Sequence, residues 1–191
     1  MPETSTHRIA VLAEEIIKNL IAQRKYIVFA ESCTAGLASD FLARVPCASE
    51  VFWGSFITYT AEAKSKMLGI PADFIKKHGE VSREVALAMA EGALEKSGAS
   101  WAFSITGFAG PGGDSIPGEN AVGTVWIGIA GRDEEPACGP GTGETRGTPI
   151  CPEAKVFRFP GSRNEVREAA AVQALEEVLG RISRIGDVLG Y

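Results

Sequence analysis

A chain of 191 residues fits a single domain with a full hydrophobic core, and 45% apolar with 23% charged residues is an ordinary globular balance. The formal net charge of −5 argues against a nucleic-acid partner, which favours a basic surface, but leaves room for a small anionic ligand at one local basic site. No apolar run approaches the roughly 18 residues of a membrane span and the polar first eight residues lack a signal-peptide pattern, so the expectation is a cytoplasmic protein that engages no membrane.

Residues 7–23 place Ile9, Leu12, Ala13, Ile16, Ile17 and Leu20 at helical spacing with charges opposite, which predicts a helix. Residues 26–30 read as a short buried strand, and the Ala-rich stretch 36–44 as a second helix that Pro46 ends. Residues 53–59, β-branched and aromatic, read as a strand. Residues 61–68 read as a short helix closed by Gly69 and Pro71, with 72–77 adding a turn. Ser82 is a plausible cap, and Glu84 suits the first turn of a helix over 83–97 with Val85, Ala88, Met89 and Ala93 on one face. A third strand over 101–105 leads into a Gly-rich loop reaching residue 118. Residues 123–130 and 155–159 read as the fourth and fifth strands, and 166–179 as a final amphipathic helix with an extension to 184.

Interleaved strands and helices predict a three-layer α/β/α domain over residues 1–191. No helix separates the last two strands, so they are expected to pair antiparallel at one end of a mixed sheet. Residues 131–151, rich in Gly, Pro, Thr and Glu, are too long for a hairpin turn and read as a mobile surface excursion. There is no internal repeat.

Four segments can carry chemistry. In Ala30-Glu31-Ser32-Cys33-Thr34-Ala35-Gly36, between a strand and a helix start, unpaired N–H groups suit a phosphate or an oxyanion. Ser32 is there either a nucleophile or a helix cap. In Thr106-Gly107-Phe108-Ala109-Gly110-Pro111-Gly112-Gly113, four glycines let the backbone approach a ligand and form an anion-binding nest, or simply shape a loop. No Gly-Lys-Ser/Thr ends it and no helix follows, so it is neither a Walker A loop nor a dinucleotide fingerprint. Lys64, near Tyr59, is either a base with a lowered pKa or a solvated lysine beside Glu62 and Lys66. Arg163, with Arg167 one turn on, either holds a carboxylate or phosphate or makes a surface salt bridge.

The remaining residue types narrow the chemistry. His7 and His78 are both poorly placed for a Ser-His-Asp triad, so lysine is the better base for Ser32. Cys33, Cys47, Cys138 and Cys151 lack Cys-x-x-Cys spacing and paired histidines, so free thiols and no metal site are expected.

Taken together the segments resemble the CinA C-terminal-domain family. Residues 30–36 resemble its A-E-S-C-T-G-G, and Tyr59-Thr60-Ala61-Glu62-Ala63-Lys64 its Y-S-N-E-A-K. His78-Gly79-Glu80-Val81-Ser82 resembles H-G-A-V-S, and residues 106–113 its T/S-G-I-A-G-P-x-G-G. Val122-Gly123-Thr124-Val125-Trp126 matches V-G-T-V-W, and Gly161-Ser162-Arg163 resembles G-D-R. Order and rough spacing agree from about Leu12 to Leu179. Ala35 stands where the family has Gly, which matters if positive φ is needed there, and Ala61 where it has Asn.

The resemblance implies a stand-alone, commonly dimeric α/β/α domain. It implies an enzyme that hydrolyses the carboxamide of nicotinamide mononucleotide to nicotinic acid mononucleotide and ammonia, without cofactor or metal. On that reading Ser32 is the nucleophile, Lys64 its base and Tyr59 a proton-positioning group. Glu31, Cys33, Thr34, Gly36, Thr106, Gly107, Ala109, Gly110 and Arg163 form the substrate site, with Arg163 favoured for the phosphate. The alternatives are a non-catalytic nucleotide-binding module, an amidohydrolase of another small amide, and an interaction domain whose glycines are structural.

Overall fold

The computed structural model describes residues 5–111, 121–132 and 149–189. Helix α1 (Ser5–Gln23) buries Ala13, Ile16, Ile17 and Leu20, one stripe at helical spacing. Strand β1 (Ile27–Glu31) is buried along its whole length and leads to α2 (Leu37–Ala43). A 3₁₀ turn at Ala48–Glu50, which the sequence does not announce, precedes β2 (Phe52–Ile57).

Three helices follow. In α3 (Ala61–Leu68) the Thr60 side chain accepts from Ala63 N–H, and Gly69 ends the helix at φ 76°. Helix α4 spans Ala72–His78. In α5 (Arg83–Ser97) Ser82 accepts from Val85 N–H, the expected cap, and Gly98 closes the helix at φ 67°. Strands β3 (Trp101–Gly107), β4 (Thr124–Arg132) and β5 (Pro149–Arg158) and helix α6 (Arg163–Leu189) complete the fold.

The strands form one open mixed sheet in the order β2-β1-β3-β4-β5. Strand β1 is parallel to β2 and β3, while β4 is antiparallel to β3 and to β5, so the expected antiparallel end pair is present. Alternation along the strands serves two cores. Ile27, Phe29, Trp101, Phe103, Ile105, Val125, Ile127 and Ile129 face α1, α2 and α6, and Val28, Ala30, Ala102 and Ala130 face α3, α4 and α5. The result is the three-layer α/β/α architecture.

Several elements exceed the sequence reading. β4 runs to Arg132 and β5 starts at Pro149, so both ends of the supposed 131–151 excursion are strand, paired Arg132↔Pro149 and Gly131↔Ile150. An outer strand needs little apolarity to pair, which hides its first residues from a pattern search. Residues 133–148 and 112–120 lie outside the described residues. Helix α6 begins at Arg163, where Glu165 accepts from the N–H and hydroxyl of Ser162 at 2.7 Å and caps the first turn. Among the described residues no helix is long and apolar enough to cross a membrane.

Candidate active site

From β1 the chain leaves through α2 to one side of the sheet, and from β2 it returns through α3, α4 and α5 to the other side of β1. The carboxyl ends of β1 and β3 therefore border a topological switch point, where α/β sheets open a crevice. Ser32 immediately follows β1, and its N–H donates to Ile105 O of β3 at 2.8 Å. Lys64 projects from α3 into the same crevice, and its Nζ donates to Ser32 Oγ at 3.1 Å. These two residues line a cavity of about 220 Å³ together with Cys33, Tyr59, Glu80 and Val81. Thr106, Gly107, Phe108, Ala109, Gly110 and Arg163 complete its lining.

The lysine is only 1% exposed. Burial lowers its pKa from the usual lysine value, and the carboxylate of Glu80, 3.2 Å away, pulls it partly back up. A buried amine with a lowered pKa is a good base for a hydroxyl at hydrogen-bond distance. Cys33 is the other candidate nucleophile in the cleft, but burial pushes its thiol up to about 12. It stays protonated near neutrality and is a poor nucleophile, which leaves the hydroxyl of Ser32. Cys33 and Cys47 are both free thiols.

The residues expected to contact substrate divide into two groups. Cys33, Thr106, Gly107, Ala109, Gly110 and Arg163 line the cleft with Ser32, Lys64 and Tyr59. Glu31, Thr34 and Gly36 do not. Glu31 is fully buried, and its carboxylate accepts from the N–H groups of Gly36, Ala38 and Ser39 and from the Ser39 hydroxyl. The chain thus fills the anion site at the start of α2 with its own carboxylate, and Gly36 N–H is spent there. Thr34 is fully buried, with a hydroxyl lacking a partner among the described residues.

The expected oxyanion donors narrow accordingly. Ala35 N–H bonds Ser32 O and Phe108 N–H bonds Thr124 O. The N–H groups of Cys33, Thr34, Ala109 and Gly110 bond to no main-chain carbonyl among the described residues. Ala35 adopts φ 53°, followed by Gly36 at φ 95°, so an alanine occupies a left-handed position.

On the rim, Arg163 donates through one guanidinium nitrogen to Gly110 O and through the other to Tyr59 Oη. It ties the start of α6 to the connections after β2 and β3. Tyr59 is half-exposed and makes no hydrogen bond to Ser32 or Lys64 among the described residues. Thr106 donates to the backbone oxygen of Glu80 at 2.9 Å. Arg167 faces the segment after β1 instead of the cleft and donates to Cys33 O at 3.1 Å and Thr34 O at 3.0 Å. His78 lies outside the cleft, its ring 4.5 Å from that of Phe74.

Glu80 is the charged cleft residue that sequence reasoning does not single out; Val81 and Phe108 line the cleft as well. Its signal lies inside a quoted motif, where Glu occupies the third place of H-G-A-V-S. Among the described residues no group of three or more His, Cys, Asp or Glu is gathered as metal ligands.

The chain as a whole is similar to known proteins. The CinA C-terminal domain model matches residues 9–182. A relative from Caldicellulosiruptor bescii, whose name carries the competence-damage inducible description, is 42% identical over 165 residues, 86% of this chain and 36% of the relative. A CinA-like protein of Akkermansia muciniphila is 39% identical over 170 residues, 89% of this chain and 37% of its own. The chain therefore spans little more than a third of these relatives. The crystal structure of the competence/damage inducible protein CihA from Agrobacterium tumefaciens superposes with a TM-score of 0.77 at 34% identity, covering 91% of this chain and 94% of that one. A CinA superfamily protein from Escherichia coli gives 0.74 at 29% identity, covering 94% and 92%. With the family model spanning nearly the whole chain and the fold shared with solved relatives, this protein belongs to the CinA C-terminal-domain family.

Proposed function

We propose that the protein is an amidohydrolase that deamidates nicotinamide mononucleotide through a Ser32–Lys64 pair. One observation carries the reading: a lysine amine buried to 1% exposure stands 3.1 Å from the hydroxyl of a serine at the mouth of the switch-point crevice. Ser32 Oγ attacks the carboxamide carbon, a C–O bond forms, and the carbonyl electron pair moves onto oxygen while neutral Lys64 takes the hydroxyl proton. The N–H group of Cys33, or those of Ala109 and Gly110, which bond to no main-chain carbonyl among the described residues, hold the oxyanion. Collapse breaks the C–N bond, and Lys64 returns the proton to the departing ammonia. Water, deprotonated by Lys64, then releases the acid from Ser32. Arg163 on the rim suits the phosphate, with Tyr59 orienting it.

The test is ammonia release from nicotinamide mononucleotide. Ser32→Ala is expected to lose on the order of 10³-fold or more in kcat, and Lys64→Ala about 10²–10⁴-fold. An undiminished rate in Ser32→Ala removes the nucleophile. The protonated amine cannot accept a proton, so activity is expected to rise with pH through the lowered pKa of Lys64 and to be lost below it.

A further inference from the structure

Lys64 is shared. Its Nζ donates to Ser32 Oγ at 3.1 Å and to Glu80 Oε2 at 3.2 Å. Glu80 belongs to the short connection between α4 and α5, and that connection is held from several sides. Its backbone oxygen accepts from Thr106 at the end of β3, Ser82 donates to Gly79 O at 3.1 Å, and Gly79 turns the chain at φ 81°. The carboxylate is therefore presented to the lysine by a fixed turn. The lysine is 1% exposed while the Glu80 side chain is 49% exposed, so the carboxylate joins the buried amine to a group in contact with water.

We propose that Glu80 is a positioning residue for the Ser32–Lys64 pair: its carboxylate aims the Lys64 amine at Ser32 and sets how readily that amine gives up its proton to solvent. The proposal rests on the amidohydrolase reading for its activity test, though not for its titration test. Of the titratable groups on the elements around α3, Glu80 and Cys33 act on Lys64, and the Cys33 thiol is held protonated by burial. Glu84 of α5 instead faces His78 of α4 at 3.9 Å, and Tyr59 is bonded to Arg163. Glu80 is thus the charge whose removal should move Lys64. An opposite charge at this distance favours the ammonium form, so removing it shifts the amine to lower pH, by about one unit or more.

The experiment compares wild type, Glu80→Gln, Glu80→Ala and Glu80→Asp in two measurements. The first is the pH profile of kcat/KM for ammonia release. The acid limb should move about one unit or more toward acid in the Gln and Ala variants, so that below the wild-type midpoint each keeps about tenfold more of its own plateau activity than wild type keeps of its own, while Asp stays nearer wild type. The second is an NMR titration of the Lys64 ε-methylene, assigned by its disappearance in Lys64→Met. Its midpoint should move with the acid limb and needs no substrate. Unchanged midpoints in Glu80→Gln and Glu80→Ala overturn the proposal. Shifted NMR midpoints in proteins that release no ammonia sustain the Glu80–Lys64 coupling and sink the amidohydrolase reading instead.

Discussion

Lys64 occupies a costly position, which is what suits it to the proposed chemistry. A fully desolvated ammonium is unfavourable, and the structure offsets that cost with one carboxylate and one hydroxyl. Glu31 illustrates the opposite use of a buried charge. Its carboxylate is consumed by three backbone N–H groups and a hydroxyl at the start of α2, which fixes the turn carrying Ser32. Ala35 sits inside that turn at φ 53°, where an L side chain costs on the order of 1–2 kcal/mol. Ala35→Gly should relieve this strain and give part of it back as unfolded-chain entropy, for a net gain of about 0.5–1 kcal/mol. Urea unfolding checks the prediction, and a destabilised glycine variant would count against strain at this position.

At the scale of elements, the first five helices lie close to their sequence-read bounds because their signals are local, while α6 runs longer at both ends. Thr60, Ser82, Gly69 and Gly98 act within one turn of the helix they end or begin. The packing of α5 on the sheet depends on distant residues. A Cβ on Gly128 of β4 would stand 2.4 Å from Ala86 O and 2.5 Å from Ser104 Oγ. Ser104, buried on β3, donates to that same Ala86 carbonyl at 2.6 Å and accepts from Gly128 N–H at 3.2 Å. Glycine at 128 thus lets helix and strand approach closely enough for one hydroxyl to bridge them. Gly128→Ala should push α5 away and cost about 2 kcal/mol through overpacking and loss of that bridge. Thermal unfolding measures it, and a melting temperature equal to that of wild type would show that α5 yields freely.

At the scale of the whole molecule, the cleft exists because the sheet order brings three connections to one end. Ser32 comes after β1, Tyr59 and Lys64 after β2, and Thr106 to Gly110 from the end of β3 and beyond. Arg163, opening α6, bridges two of these connections through Gly110 and Tyr59. Arg163→Ala should raise KM for nicotinamide mononucleotide about tenfold or more, since a charge-assisted contact is worth roughly 1.5–3 kcal/mol. It should leave hydrolysis of the nucleoside, which lacks the phosphate, much less affected. An equal loss on both compounds, read from KM and kcat separately, would assign Arg163 to holding the loops together.

Read alone, the sequence established the alternation of helices and strands, the antiparallel end pair, the Ser82 cap and the family, since periodicity, capping and contiguous motifs are properties of neighbouring residues. It also named most of the cleft, including Ser32, Lys64, Thr106 and Arg163. Only the tertiary structure decided that Ser32 and Lys64, 32 positions apart, touch. It also revealed that the half-exposed Glu80 carboxylate bonds the buried Lys64 amine, and that Glu31 is spent on its own helix and not on a ligand. Those outcomes follow from which strand lies beside which and from how completely each side chain loses its water. Both are fixed by long-range packing, and no local pattern encodes them.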